Sequence, residues 1–147
     1  MIEILPKIPQ YLLARAVDHY HPLPMSLTIS LLYTCNSRCK TCNVWKKTAK
    51  NFSVDEYEKT FRSLGTAPYW FTMSGGEPFL RPDIAEICQL AHDICRPGII
   101  NIPTNGSLTE RIGENLPKLL KKCPNSKVVV NLSLDQVGEK HDEIRGI

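Results

Sequence analysis

The chain contains no apolar run approaching the roughly 18 residues that a membrane-spanning helix needs. Charge of one sign is also scarce. Eighteen Lys and Arg stand against fifteen Asp and Glu, for a net charge of +3. That field is too weak to argue for nucleic acid as a partner. The opening Met-Ile-Glu-Ile-Leu-Pro lacks the basic start and apolar stretch of a secretion signal. No low-complexity segment or short repeat appears. What is present is an ordinary soluble composition over 147 residues, enough for one domain or part of one. A complete domain of this length buries roughly 68–70% of its unfolded surface. Six cysteines without a signal point to reduced thiols in a cytoplasmic protein. There, clustered cysteines bind metal more often than they pair.

A rhythm of strand followed by helix runs through the chain. Residues Pro9 to Tyr20 read as a helix with Leu13, Val17 and Tyr20 on one face, broken by His21-Pro22-Leu23-Pro24. Leu27 to Leu32 reads as a strand. Ser53 and Glu56 form a capping box, and the helix they open carries Val54, Tyr57, Phe61 and Leu64 on one face before Gly65 stops it. Tyr69 to Met73 is a second strand. Pro82 opens a helix with Ile84, Ile87, Cys88, Ala91 and Cys95 on one face, ended by Pro97-Gly98. Ile99 to Ile102 is a third strand. Leu116, Leu119, Leu120 and Cys123 mark a further helical face, and Lys127 to Leu134 a fourth strand. Strands separated by helices predict an α/β fold with a parallel sheet and right-handed crossovers.

Parallel strands covered on both faces read as continuous apolar runs. These do not. Thr28 and Ser30 alternate with Leu27, Ile29 and Leu31, and Asn131, Ser133 and Asp135 alternate with Val130, Leu132 and Leu134. Thr72 shares a face with Ser74, and Asn101 with Asn105. One sheet face is therefore expected to be polar and to line a site, as inside a barrel. The alternative is a helix-covered sheet with scattered hydrogen-bonded polar residues.

The chemistry-bearing residues follow the strands, at the edge where α/β folds bind ligands. After the first strand comes Cys35-Asn-Ser-Arg-Cys39-Lys-Thr-Cys42. Three thiolates with no fourth nearby suit a four-iron cluster that leaves one iron open. Two other readings stand beside it: zinc held by the three cysteines and a histidine such as His21, and a thiol–disulfide pair at Cys39 and Cys42. After the second strand comes Ser74-Gly75-Gly76-Glu77-Pro78. Its glycines let backbone approach a ligand and expose carbonyls, and Glu77 offers a carboxylate suited to an ammonium group. Thr104-Asn105-Gly106 and Ser133-Leu134-Asp135 close the third and fourth strands.

Together these features resemble the radical S-adenosylmethionine (radical SAM) superfamily. The matching residues are Cys35, Cys39 and Cys42 in the CxxxCxxC loop, then Gly75-Gly76-Glu77-Pro78, then the ends of the third and fourth strands in the family's order. The resemblance covers roughly Leu27 to the C-terminus. It implies a partial (β/α) barrel with about four of the family's six strands. Residues 1–24 would be an N-terminal helical extension and 25–147 a C-terminally truncated core.

The resemblance further implies that Cys35, Cys39 and Cys42 hold a [4Fe–4S] cluster. The free iron would bind the amino and carboxylate groups of SAM. Gly75, Gly76 and Glu77 would contact the SAM amine, and Ser133, Asn105 and Asp135 its ribose or carboxylate. Reductive cleavage of SAM would yield a 5′-deoxyadenosyl radical that abstracts hydrogen from a substrate. The general pattern is similar to members that add a C-terminal SPASM or twitch domain and act in cofactor or peptide-modification biosynthesis. Readings from other classes are a zinc-stabilised binding module and a non-catalytic remnant of the enzyme. One departure is Thr41, where the family often has an aromatic residue, so that Val44 or Trp45 would cover the cofactor.

Other residues have plainer readings. Arg38, Lys40, Lys46, Lys47 and Lys50 are a solvated face or a dock for an acidic flavodoxin or ferredoxin. Cys88, Cys95 and Cys123 are expected as core thiols. His19, His21, His92 and His141 have no ligand spacing. Trp70 and Phe71 are expected as strand packing.

Overall fold

The computed structural model describes residues 2–147, and side chains from Ile4 onward; Met1 of the N-terminal extension lies outside the described residues. A 3-10 turn over Ile2–Lys7 leads into α1 (Ile8–Ala16). The remaining elements run β1 (Ser26–Ser30), α2 (Val54–Leu64), β2 (Trp70–Ser74), α3 (Ile84–Cys95), β3 (Ile99–Thr104), α4 (Thr109–Lys122), β4 (Lys127–Leu132) and α5 (Glu139–Arg145). All four strands are parallel, in the order β1-β2-β3-β4. Each crossover carries a helix, and α2 packs on α3 and α3 on α4 along one face of the sheet.

Local sequence explains most boundaries. At the start of α2, Ser53 Oγ accepts from Glu56 N–H at 3.3 Å while Glu56 Oε2 accepts from Ser53 N–H at 2.7 Å, the expected capping box. Gly65 ends the helix at φ 53°. The core is assembled from Tyr57 and Phe61 of α2, Ile84, Ile87, Cys88, Ala91 and Cys95 of α3, Leu119 of α4, and the strand residues Phe71, Met73, Ile100 and Ile102. Phe61 meets Phe71 edge to face at 5.6 Å.

The opposite face of the sheet is polar, as the alternation requires. Asn131 Nδ2 donates to Asn101 Oδ1 at 2.7 Å, Asn101 Nδ2 approaches Thr72 Oγ1 at 3.5 Å, and Trp70 Nε1 donates to Thr72 Oγ1 at 3.0 Å. Phe71 thus packs in the core, whereas Trp70 belongs to the polar row.

Several boundaries differ from the sequence reading. The first helix stops at Ala16 instead of Tyr20, because Val17 is already extended. Leu13, Val17 and Tyr20 are exposed, and α1 buries no residue. The third helix starts at Ile84, not Pro82, because Arg81 takes the Asp83 carboxylate and shapes the turn before it. Leu120 faces out of α4, while Leu119 and Cys123 face in. The fourth strand ends at Leu132, two residues short of Leu134. The third strand runs on to Thr104 through Pro103. Pairing of β2 with β3 stops at Thr72–Asn101, so Pro103 meets only β4. The ends of β2 and β3 therefore separate.

Candidate functional site

A cavity of about 220 Å³ opens where those strand ends separate. Its wall includes Cys35, Cys39 and Cys42 from the loop after β1, and Ser74, Gly75, Gly76 and Glu77 after β2. Asn105 after β3, and Ser133 and Asp135 after β4, complete the set. The three cysteines and the six residues expected to contact SAM thus all reach one hollow. A larger hollow of about 510 Å³ lies at the opposite ends of the strands, lined by Lys7, His92 and Arg96. It holds none of the cysteines, and Lys7 is spent there on the carbonyls of Thr66 and Ala67.

The cysteine loop is fixed at its base, along its side and near its apex. At the base, the buried Arg81 guanidinium donates to Leu31 O at 2.7 Å and Phe52 O at 2.6 Å, joining the two ends of the loop. Its other contacts are the Asp83 carboxylate and the Tyr57 ring, 5.2 Å away. Along the side, Asn105 Nδ2 donates to Asn36 Oδ1 and Ser37 Oγ, both at 2.8 Å. Near the apex, Lys40 N–H donates to Ile144 O of α5 at 2.9 Å.

The glycines serve packing. A Cβ on Gly76 would overlap Thr34 O, and one on Gly75 would overlap Leu32 O. Gly75 also sits at φ 129°, a conformation side chains disfavour. The loop after β2 thereby lies directly against the start of the cysteine loop, with Gly76 N–H on Leu32 O at 2.7 Å and Glu77 N–H on Thr34 O at 3.0 Å. Glu77 is buried, and its carboxylate accepts from Phe79 N–H, Thr104 Oγ1–H and Asn105 N–H at 3.2, 2.8 and 2.8 Å. It ties the β2 end to the β3 end, with three donors on a carboxylate that has about four lone-pair sites.

What the cavity leaves available is specific. Among the described residues, no hydrogen bond uses the carbonyls of Gly75 and Gly76 or the hydroxyls of Ser74 and Ser133. Arg145, which the sequence reading missed, also lines the cavity. Its Nε is 2.6 Å from Asp135 Oδ2, but the N–H is not aligned for a hydrogen bond. Its Nη1 lies 3.9 Å from Cys39 Sγ. Two free carbonyls suit an ammonium group, and a guanidinium with hydroxyls suits a carboxylate.

Cys35 and Cys39 are half-buried and Cys42 is exposed, all as free thiols. Burial pushes the Cys35 thiol up, with Glu77 and the neighbouring cysteines adding to the shift. Among the described residues, no three His, Cys, Asp or Glu side chains converge tightly enough to hold a single metal ion. A tetrahedral zinc ion needs such convergence. A cubane cluster takes each thiolate on a separate iron, and all three thiols line the one cavity. His21 is exposed and joins no such group.

Of the two proposed covers, Val44 lines the cavity together with Thr41. Trp45 lies instead between Arg38 and Lys46, at 5.6 and 5.0 Å from its ring centre. Cys88, Cys95 and Cys123 are buried in the core as expected. Burial raises all three thiols, Cys95 and Cys123 to about 11.

The sequence profile described as the Radical SAM superfamily matches residues 29–147. The chain belongs to the radical SAM superfamily. Its relatives are named as enzymes, and the superfamily uses a [4Fe–4S] cluster and SAM. The chain is 34% identical over 127 residues to a probable GTP 3′,8-cyclase of Methanococcus vannielii, covering 82% of this chain and 40% of that protein. It is 29% identical over 146 residues to the Fe-coproporphyrin III synthase of Methanosarcina barkeri, covering 96% and 34%. In fold it is similar to Streptococcus suis SuiB, solved bound to precursor peptide SuiA. The TM-score is 0.67 at 18% identity, covering 97% of this chain and 31% of SuiB. The radical SAM chain described here thus spans well under half the length of these relatives. No helix among the described residues is long and apolar enough to cross a membrane.

Proposed function

We propose that this chain carries the cofactor-binding part of a radical SAM enzyme of cofactor or peptide-modification biosynthesis. Residues 25–147 form the core, and residues 1–24 are an accessory extension. Cys35, Cys39 and Cys42 hold the [4Fe–4S] cluster. When bound and reduced, that cluster would supply the one electron that breaks the sulfonium C5′–S bond of SAM, giving methionine and a 5′-deoxyadenosyl radical that takes a hydrogen atom from the substrate to become 5′-deoxyadenosine.

The carrying observation is the set of free groups beside the cysteines. The Gly75 and Gly76 carbonyls accept from the SAM ammonium group. Ser133 and the Arg145 guanidinium face its carboxylate, with Asp135 orienting Arg145 through charge. Glu77 and Asn105 act one step back. Glu77 fixes the Gly-Gly segment against β3, and Asn105 fixes the cysteine loop.

The polar row of Thr72, Asn101 and Asn131 faces the substrate side of the sheet. Arg38, Lys46 and Lys47 are exposed around the loop, and they form the dock for an acidic one-electron donor of the flavodoxin or ferredoxin class. Six free cysteines fit a reducing, cytoplasmic setting.

The test is anaerobic reconstitution with iron and sulfide, reduction with dithionite in the presence of SAM, and chromatography for 5′-deoxyadenosine. Its formation, and its loss in Cys39→Ala, are expected. A chain loaded with iron that leaves SAM intact would mark a non-catalytic remnant.

A further inference from the structure

The last turn of a helix leaves carbonyls without partners in the helix itself. In α5 these carbonyls are used by the cysteine loop. Gly146 closes the helix at φ 61°, with its N–H on Asp142 O at 2.7 Å, the bond of an αL cap, and Ile147 N–H reaching the same carbonyl at 3.3 Å. The turn aims two leftover carbonyls outward. Ile144 O accepts from Lys40 N–H at 2.9 Å, and Gly146 O accepts from Arg38 N–H at 3.4 Å. Lys40 and Glu143 add an exposed ion pair across the same seam.

Gly146 also touches the loop directly. A Cβ there would meet Arg38 O at 2.7 Å and its carbonyl carbon at 2.9 Å. The segment that leads into α5 is braced by Asp135 N–H, which approaches His141 Nδ1 at 3.3 Å.

We propose that α5 is a clasp: through the Ile144 and Gly146 carbonyls it sets the conformation of the cysteine loop between Cys35 and Cys42, and Gly146 is its positioning residue. The inference rests on the reading of that loop as the cluster ligand. It adds that the loop is held in its ligating shape before the cluster arrives, by an element more than a hundred residues away in sequence. A pre-shaped loop loses less conformational freedom on binding, so the clasp governs how firmly the cluster is retained.

The test compares Gly146→Ala with Gly65→Ala. Gly65 has a similar positive φ of 53°, yet nothing lies within 4 Å of a Cβ placed there. A side chain is strained at both positions, more so at Gly65 (ψ −141°) than at the left-handed Gly146 (ψ 46°), but only Gly146→Ala presses on the loop. The two chains and the unmodified one are reconstituted anaerobically, and loss of the cluster absorbance is followed after adding a ferrous chelator. Gly146→Ala is expected to lose its cluster roughly tenfold faster than the parent, as a methyl-sized clash in a packed contact implies. Gly65→Ala is expected to match the parent. Equal retention in both variants, or equal loss, would overturn the clasp.

Hydrogen exchange on the unmodified, iron-free chain gives a second reading that needs no variant to fold. The Lys40 amide is expected to exchange at least roughly tenfold more slowly than an open loop amide. Free exchange at Lys40 sinks the proposal. If the parent chain takes up no iron, the underlying reading of the loop fails and the clasp fails with it. If the parent loads normally and Gly146→Ala behaves like it, only the clasp fails.

Discussion

Gly76 and Thr34 lie closer than any side chain on Gly76 would allow, and this contact sets the wall of the cavity. Replacing Gly76 with Ala forces the two loops apart. A loss of roughly 1–3 kcal/mol is expected from such overpacking, seen as a lower unfolding midpoint together with weaker cluster loading. Arg81 makes a comparable demand, since it joins Leu31 O and Phe52 O at the base of the cysteine loop. Lys cannot reproduce the planar fork, so Arg81→Lys is expected to lower both thermal stability and iron content.

The thiols divide by setting. Core thiols with pKa values raised to about 11 stay protonated at pH 8. Brief alkylation of the folded, iron-free chain followed by mass analysis should therefore modify at most three sites, all within Cys35, Cys39 and Cys42. Prompt modification of Cys88 would contradict its burial.

The cysteines were legible as candidate ligands because they fall in one short loop, but their spacing alone leaves zinc and a thiol–disulfide pair open; the residues at the other strand ends point to the cluster. Glu77 and Asn105 were legible as site residues but not in their roles. Their partners, Thr104 for Glu77 and Asn36 and Ser37 for Asn105, come from other strand ends, and only the fold brings them together. Arg145 was missed because nothing local in Ile144-Arg145-Gly146 points toward a loop a hundred residues earlier.

At the scale of elements, α2 was read almost to the residue because its stop and start signals are local. Ser53→Ala removes the cap and is expected to cost about 1 kcal/mol, measurable by denaturant unfolding. Glu56 is the pH-sensitive half of that box. The Ser53 N–H bond holds its carboxyl below the usual glutamate range. Its contribution is therefore complete above the ordinary glutamate pKa and lost as pH falls through the lowered folded value. The stability difference between the parent and Glu56→Gln should accordingly shrink on acidification below about pH 4.

Boundaries were misplaced where tertiary contacts override local signals. Pro82 looked like a helix start, but the Arg81–Asp83 pair postpones the helix to Ile84. The apolar run that marks the third strand ends at Ile102, whereas the strand continues through Pro103 to Thr104. The missing Pro103 N–H is tolerated there because β2 has already turned away. The apolar spacing of Leu13, Val17 and Tyr20 predicts one helical face through Tyr20, yet the helix stops at Ala16 and those side chains are exposed.

For the whole molecule, four parallel strand ends converge on one cavity, and a one-sided layer of helices leaves the other sheet face polar. That architecture was legible because the alternation of Thr28, Ser30, Thr72, Asn101 and Asn131 with apolar neighbours encodes a face that is not covered by helices. In the proposed function, three thiolates and the free groups around them act together on one cluster and one SAM molecule.

The most direct measurement is electron paramagnetic resonance of the anaerobically reconstituted and reduced chain, with and without SAM, alongside iron and zinc analysis. The expected result is about four irons per chain, a [4Fe–4S] signal that changes shape on adding SAM, and no signal in Cys39→Ala. Stoichiometric zinc with no iron, or a cluster signal indifferent to SAM, would contradict the account.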